Sequence, residues 1–220
     1  MLRGLFVTGT DTSVGKTVVS AALMHRYRAD LSLRYWKPIQ TGTEQDDDTA
    51  EVRRLGRCAP GELLASGVRL PSPVSPHLAA RLNGSTIRLQ PLIDSIVAEP
   101  SVWWVVEGAG GTLVPVNESE TMADLMSRLG LPIIVVARTA LGTINHTLLT
   151  LEALRRRALH VVGVVMVGHR DRENCAAIEQ YGDVAVLGEM PWLDPLAPEE
   201  VAKWATAELD PGRRLLELLR

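Results

Sequence analysis

The sequence predicts an α/β fold in which one mostly parallel sheet is flanked by helices, and three observations predict it. Short β-branched apolar runs alternate along the chain with segments of helical apolar spacing. Those runs are nearly continuous in apolar character, as parallel strands covered on both faces must be. The first of them leads straight into a glycine-containing turn at Gly9–Thr17 and then a helix.

In chain order, the apolar runs place strands at Gly4–Thr8, Leu33–Lys37, Val102–Glu107, Pro132–Ala137, Val161–Val167 and Val184–Glu189. Pro38 ends the second by holding Lys37 extended. Helical spacing places helices at Lys16–Arg28, Asp47–Leu55, Pro76–Leu82, Gln90–Ala98, Thr121–Leu129, Thr143–Arg157, Arg172–Tyr181 and Pro198–Glu208. The second opens on acidic residues, which the helix dipole favours, and Arg155-Arg156-Arg157 closes the sixth on the same grounds. A short last helix, Gly212–Leu219, follows the breaker Asp210-Pro211. Arg69–Pro76 carries three prolines and reads as an irregular loop. No repeat, low-complexity tract or linker divides the chain, so residues 1–220 are expected to form a single domain.

Composition excludes several function classes. A net charge of −3 carries no basic surplus, so no nucleic-acid partner is expected. The longest apolar runs, such as Leu131–Ala137, fall far short of the roughly 20 residues that span a bilayer, so no membrane association is expected. Cys58 and Cys175 have no metal-ligand spacing and read as free thiols of a cytoplasmic protein. Only Lys16, Lys37 and Lys203 are lysine among 23 basic residues, and the first two stand beside glycine-rich or strand-end signals. A compact ammonium differs from a planar guanidinium as a phosphate partner.

The strand, turn and helix around Gly9-Thr10-Asp11-Thr12-Ser13-Val14-Gly15-Lys16-Thr17 predict a phosphate-binding loop and an ATPase. Backbone N–H groups there, with the helix N-terminus, present positive charge to a polyphosphate. Lys16 would reach the β- and γ-phosphates, and the Thr17 hydroxyl would face Mg²⁺. The usual spacing needs glycine at position 10, and Thr10 stands there instead, with Gly9 one residue early.

Further chemistry falls at the carboxyl ends of strands, where open α/β sheets gather ligands. Lys37 ends the second strand and could face the γ-phosphate and a second anionic substrate. Glu44-Gln45-Asp46-Asp47-Asp48 leads a helix and offers a carboxylate to Mg²⁺, with the sequence leaving open which of the three aspartates it is. Glu107 ends a buried strand and supplies a second carboxylate, and Gly108-Ala109-Gly110-Gly111 lets backbone N–H groups come close to a ligand.

Taken together, Gly9-Thr10-Asp11-Thr12, Val14–Thr17, Lys37-Pro38, Ser75-Pro76-His77, Glu107–Gly111, Gly142, Ile144-Asn145-His146 and Gly188-Glu189 with Pro191-Trp192-Leu193 resemble the dethiobiotin synthetases of biotin biosynthesis. The matches run from residue 4 to about residue 195. The resemblance implies a homodimer with a seven-stranded parallel sheet that joins CO₂ to 7,8-diaminononanoate using Mg²⁺ and ATP. It further implies a carbamate that attacks the γ-phosphate, followed by ring closure with loss of phosphate. Carried over by position, Lys16, Lys37 and Thr12 would be catalytic, and Thr17, Asp48 and Glu107 would hold Mg²⁺. Ser13, Val14, Gly15, Lys16, Thr17, Val18, Glu107, Gly108, Ala109, Gly110, Val167, Gly168, Pro191, Trp192 and Leu193 would line the nucleotide. Thr41, Gly111, Leu113 and Val114 would line the diamine, while Leu141, Gly142 and Asn145 would meet its carboxylate across the dimer interface.

One departure concerns the base. The family usually places an Asn–Asp pair where this chain has Val167-Gly168, so relaxed or altered nucleobase preference is expected, with backbone groups near Gly168 and Pro191–Leu193 reading the base. Two other classes share the fold. Partition and septum-positioning switches carry an additional lysine early in the loop, and Gly9–Val14 has none. Some of those end in a membrane-seeking helix, which Arg213–Arg220 resembles, although so short a segment is expected to pack on the domain or at the dimer. Cobyrinic-acid amidating synthetases add a glutamine-hydrolysing domain for which this chain is too short.

Overall fold

The computed structural model describes residues 2–219. The chain runs β1 (Gly4–Gly9), α1 (Lys16–Tyr27), β2 (Ser32–Trp36), β3 (Ile39–Thr41), α2 (Asp48–Leu55), β4 (Leu63–Leu64), β5 (Val68–Leu70), α3 (Pro76–Leu82), α4 (Leu89–Asp94), β6 (Val102–Glu107), α5 (Met122–Leu129), β7 (Ile133–Arg138), α6 (Thr143–Arg155), β8 (Val161–Val167), α7 (Arg172–Gly182), β9 (Val186–Met190), α8 (Pro198–Glu208) and α9 (Arg214–Leu219). Seven strands form one sheet in the order β4-β2-β6-β1-β7-β8-β9, and every neighbouring pair is parallel. The six strands expected from apolar runs are all present, and β4 is the seventh.

Alternation along the strands sorts side chains to two faces. Leu5, Val7, Tyr35 and Val105 point into a cluster covered by α1, α2, α8 and α9. Phe6, Trp36, Trp104 and Val106 point the other way, into a cluster that includes residues of α3–α7. The core is therefore two apolar layers separated by one sheet, as a doubly covered parallel sheet requires.

Three expectations are corrected. The proline-rich stretch is not loop from Arg69: β5 reaches Leu70 and pairs with β3 in a second, two-stranded parallel sheet. The helix expected at Gln90–Ala98 ends at Asp94, where the Ser95 hydroxyl donates to the Leu92 carbonyl at 2.7 Å and competes with the helical bond. The last helix starts at Arg214, two residues later than expected, after the left-handed residues Asp210 (φ 45) and Arg213 (φ 54). Its Leu215, Leu216 and Leu219 are buried against the domain.

Candidate active site

Strand register assembles the site. Pairing of β1 with β6 sets Val7 beside Glu107, and pairing of β2 with β6 sets Trp36 beside Val106. Glu107 and the Lys37 that follows β2 therefore arrive at the rim where β1 turns into the phosphate loop. The Thr10 N–H donates to the Val136 carbonyl at 3.0 Å, tying the start of that loop to β7. The loop turns through two left-handed residues, Ser13 (φ 56) and Gly15 (φ 99). Glycine suits position 15 because the backbone there is left-handed, and because a Cβ would lie tightly, 3.1 Å, against both γ-carbons of Val167. Thr10 is not among the left-handed residues, so the glycine missing at that position is not needed.

Five groups converge on the rim. The Glu107 side chain is wholly buried. Its Oε1 accepts from the Lys37 ammonium at 2.8 Å, and its Oε2 accepts from the Tyr35 hydroxyl at 3.0 Å. Lys37 also ion-pairs with Asp48 Oδ2 at 2.6 Å and donates to the Gly108 carbonyl at 3.0 Å. The Thr17 hydroxyl stands 3.0 Å from both Asp48 Oδ1 and Glu107 Oε1, and can donate to one at a time. Burial pulls the Lys37 pKa down, but Glu107 and Asp48 outweigh it and hold the ammonium above its ordinary value. For Asp48, burial pushes upward and Lys37 overcomes it, leaving the carboxyl below its usual range. Lys16 is treated differently: its ammonium donates to the Asp11 carbonyl at 2.9 Å. Burial, then repulsion by Lys37, lower its pKa to about 8. An anion would find Lys16 the less committed of the two cations.

Helix geometry separates Asp47 from Asp48. Asp47 is the N-cap of α2, accepting from the Ala50 N–H at 3.0 Å and pairing with Arg69 at 2.8 Å. Asp48, the first residue of α2, faces Thr17 and Lys37, while Asp46 gives its backbone carbonyl to Gln40. A cavity of about 330 Å³ opens here, lined by Thr12, Ser13, Gly15–Val18, Lys37, Thr41, Asp46, Asp48, Glu107, Ala109 and Gly110. Gln40 lines it too. Its amide nitrogen donates to the Asp46 carbonyl at 2.8 Å, leaving its buried Oε1 without a partner among the described residues. Tyr35 and Gln40 are the two residues that motif reading passed over. Tyr35 stands two positions before Lys37, on the same strand face, and that spacing is the signal that could have found it.

Other expected residues lie apart from this cavity. Val14 is buried beneath the loop in the core of the α1 face. Gly111, Leu113 and Val114 follow the lining segment without lining it, and Leu113 is half exposed. Leu141 is fully exposed, and Gly142, which caps α6 at φ 94, and Asn145 are exposed beside it. Val167 packs on Gly15 from the end of β8, and the Gly168 N–H donates to the Met190 carbonyl at 2.9 Å. No side chain fits at Gly168 as it stands: a Cβ would meet Thr139 Oγ1 at 2.4 Å. Asn174, the next asparagine in sequence, spends its amide on Asp171 at 2.7 Å and the Thr139 carbonyl at 3.2 Å. Pro191 and Leu193 are half-buried and Trp192 is exposed. A larger concavity of about 680 Å³ lies between α3, α4 and the loop before α5, and it contains no residue of the phosphate loop.

The donor set suits Mg²⁺. Among the described residues no group of three or more His, Cys, Asp or Glu side chains converges as a metal cage. Two carboxylates and one hydroxyl converge instead, already holding a cation between them. Mg²⁺ is typically bound by one or two carboxylates together with phosphate oxygens and water.

Residues 3–200 match a protein family described as AAA domain. The ATP-dependent dethiobiotin synthetase of Paramagnetospirillum magneticum is 51% identical over 201 residues, which cover 91% of this chain and 94% of that protein. This chain belongs to the dethiobiotin synthetase family. The dethiobiotin synthetase of Brucella ovis is 46% identical over 197 residues, covering 90% of each chain. Among solved structures, the septum site-determining protein MinD of Pyrococcus horikoshii, complexed with Mg-ADP, superposes with a TM-score of 0.56 at 16% identity, over 94% of this chain and 87% of that one. A ParA family ATPase from Chlorobium tepidum gives 0.54 at 11% identity, over 93% and 98%. Likeness at such identities carries the fold alone. The partition-type switch reading draws no support from it, while family membership identifies an ATP-dependent synthetase.

Proposed function

We propose that this dethiobiotin synthetase-family chain joins CO₂ to 7,8-diaminononanoate, closing the ureido ring of dethiobiotin and releasing ADP and phosphate. The observation that carries the reading is Lys37, a buried ammonium held between Asp48 and Glu107 at the rim of the phosphate loop. A carbamate formed from one substrate amine would attack the γ-phosphorus through oxygen, breaking its bond to the bridging oxygen of ADP. The second amine would then attack the carbamate carbon, forming the ring C–N bond and expelling phosphate.

Phosphoryl transfer asks a protein mainly for position and charge. Lys16 and Lys37 supply ammonium groups for the γ-phosphate and the carbamate, with Thr12 assisting from the loop. Mg²⁺, when bound, neutralises phosphate oxygens, and Thr17, Asp48 and Glu107 would hold it. Thr41 and the unpartnered Gln40 oxygen would take N–H groups of the diamine. Backbone groups of Ser13–Val18 and Gly108–Gly110 would hold the nucleotide tail. Val167, Gly168 and Pro191–Leu193 would flank the base.

We further read the chain as one cytoplasmic domain that works as a homodimer. Leu113, Leu141 and Leu149 are 49%, 104% and 55% exposed, which supports a second copy covering them. In that arrangement Leu141, Gly142 and Asn145 would complete the partner's diamine site.

The test is phosphate release from purified protein with Mg²⁺, ATP, bicarbonate and the diamine. Release is expected to require the diamine, and Lys37→Gln should lower it by about 10²–10³-fold. Equal release without the diamine would favour the switch reading.

A further inference from the structure

We propose that Lys37 is the resident counter-cation of the divalent site. Its ammonium occupies the metal carboxylates in the metal-free protein, and Mg²⁺ binding exchanges it out into the catalytic cavity. The inference rests on the reading that Asp48 and Glu107 hold Mg²⁺.

The contacts place ammonium and metal donors in direct competition. Lys37 Nζ is 2.6 Å from Asp48 Oδ2 and 2.8 Å from Glu107 Oε1, and the Thr17 hydroxyl touches the same two carboxylates. Each candidate ligand is thus bonded to the ammonium or to a group that the ammonium holds. Two carboxylates brought this close, one of them wholly buried, repel unless a cation lies between them. Lys37 supplies that cation from within the chain. A dication on the same oxygens would stand in near contact with the ammonium, and like charges at about 4 Å repel strongly even at an effective dielectric of about 20.

The lysine has somewhere to go. It lines the cavity with Gln40 and Thr41, and its flexible stem lets the head turn without moving the backbone. The Gly108 carbonyl, 3.0 Å away, is no part of the proposed metal set and can remain a partner. Tyr35 holds Glu107 from the other side through Oε2, so the carboxylate keeps its place while its Oε1 changes cations. Linkage makes the coupling reciprocal: whatever fills the metal site frees an ammonium beside the phosphate loop, and whatever removes the ammonium strengthens the metal site.

The sign of one measurement separates this from a lysine that serves only the substrate and keeps clear of the metal carboxylates, whose removal leaves metal affinity alone, and the resonance test below reports the displacement itself. Mg²⁺ affinity is measured by calorimetry on nucleotide-free protein, wild type against Lys37→Met. The variant should bind Mg²⁺ at least about tenfold tighter, since a buried pair broken on one side leaves uncompensated charge for the metal to meet. Its metal-free form should melt lower, with Mg²⁺ restoring more of the melting temperature than in wild type. Unchanged or weaker affinity overturns the proposal, as does a folded variant that binds no Mg²⁺ at tens of millimolar.

Should Lys37→Met fail to fold, the wild type answers directly. The chain has only three lysines, Lys16, Lys37 and Lys203, so its side-chain ammonium and Cε resonances are few. Mg²⁺ should move the Lys37 resonance with the same saturation curve as the calorimetry, and a resonance unmoved at saturation overturns the exchange. Glu107→Gln tests the underlying reading separately. If Mg²⁺-dependent ATP binding survives that change, the metal assignment fails; if it is lost while Lys37 stays put, only the exchange fails.

Discussion

Three adjacent aspartates are equivalent in a sequence and unequal in a fold. Asp48 faces Thr17 and Lys37 because Asp47 is consumed as the cap of α2, and nothing in the run Asp46-Asp47-Asp48 announces which one turns inward. Lys16, Thr17, Lys37 and Glu107 were legible because a loop motif or a strand end marks each. Gln40 was not, since an orphaned buried oxygen becomes visible only once its neighbours are placed. The residues proposed to flank the base make a residue-scale prediction. Val167-Gly168 offers no side-chain amide, and the Asn174 amide is already engaged. A site without dedicated hydrogen-bonding side chains discriminates weakly, so CTP and GTP should support turnover within about a hundredfold of ATP. Steady-state kcat/KM with the three nucleotides checks this, and strict use of ATP alone would defeat it.

At the scale of elements, length decided what could be read. The six long strands and most helices show their periods, whereas β4 has two residues and β3 and β5 have three each, too few for any period to show. Their pairing is a tertiary outcome, set by where Pro38 and Gly67 bring the chain together: the Val68 N–H donates to the Pro38 carbonyl at 2.9 Å. Helix α5 carries a prediction of its own. The Asp124 carboxylate accepts from the Thr121 N–H at 2.6 Å and the Thr121 hydroxyl at 2.7 Å, closing the first turn. Those bonds, the backbone one foremost, hold the Asp124 pKa below its ordinary 3.8. A carboxyl with a depressed folded pKa stabilises above its unfolded pKa and loses that contribution as pH falls through the folded value. Asp124→Ala should therefore cost about 1 kcal/mol near neutral pH, converging on wild type below about pH 3.8, as judged by urea denaturation across pH.

The whole molecule is held by two apolar layers and by one polar tie that closes the first. Asp210 is 1% exposed and accepts from the Tyr27 hydroxyl at 2.6 Å, the Leu215 N–H at 2.9 Å and the Arg214 N–H at 3.0 Å. It fastens α9 to α1, and of the leucines that suggested a membrane-seeking tail Leu215, Leu216 and Leu219 lie inside the protein while Leu218 is exposed. Tyr27→Phe should destabilise the chain by about 1–3 kcal/mol by leaving a buried carboxylate short of a donor, with little change in kcat per folded molecule. Urea titration alongside the phosphate-release assay separates the two effects. A last consequence comes from the centre of the sheet. Among the described residues strand β1 pairs only with β6 and β7, and Gly15 packs against Val167. The loop at residues 9–17 therefore acquires its walls only after Val167, about 150 residues further on, has left the ribosome. A nascent chain halted before β8 would display the complete phosphate motif yet lack its supporting wall, so nucleotide could aid folding only once β8 has emerged.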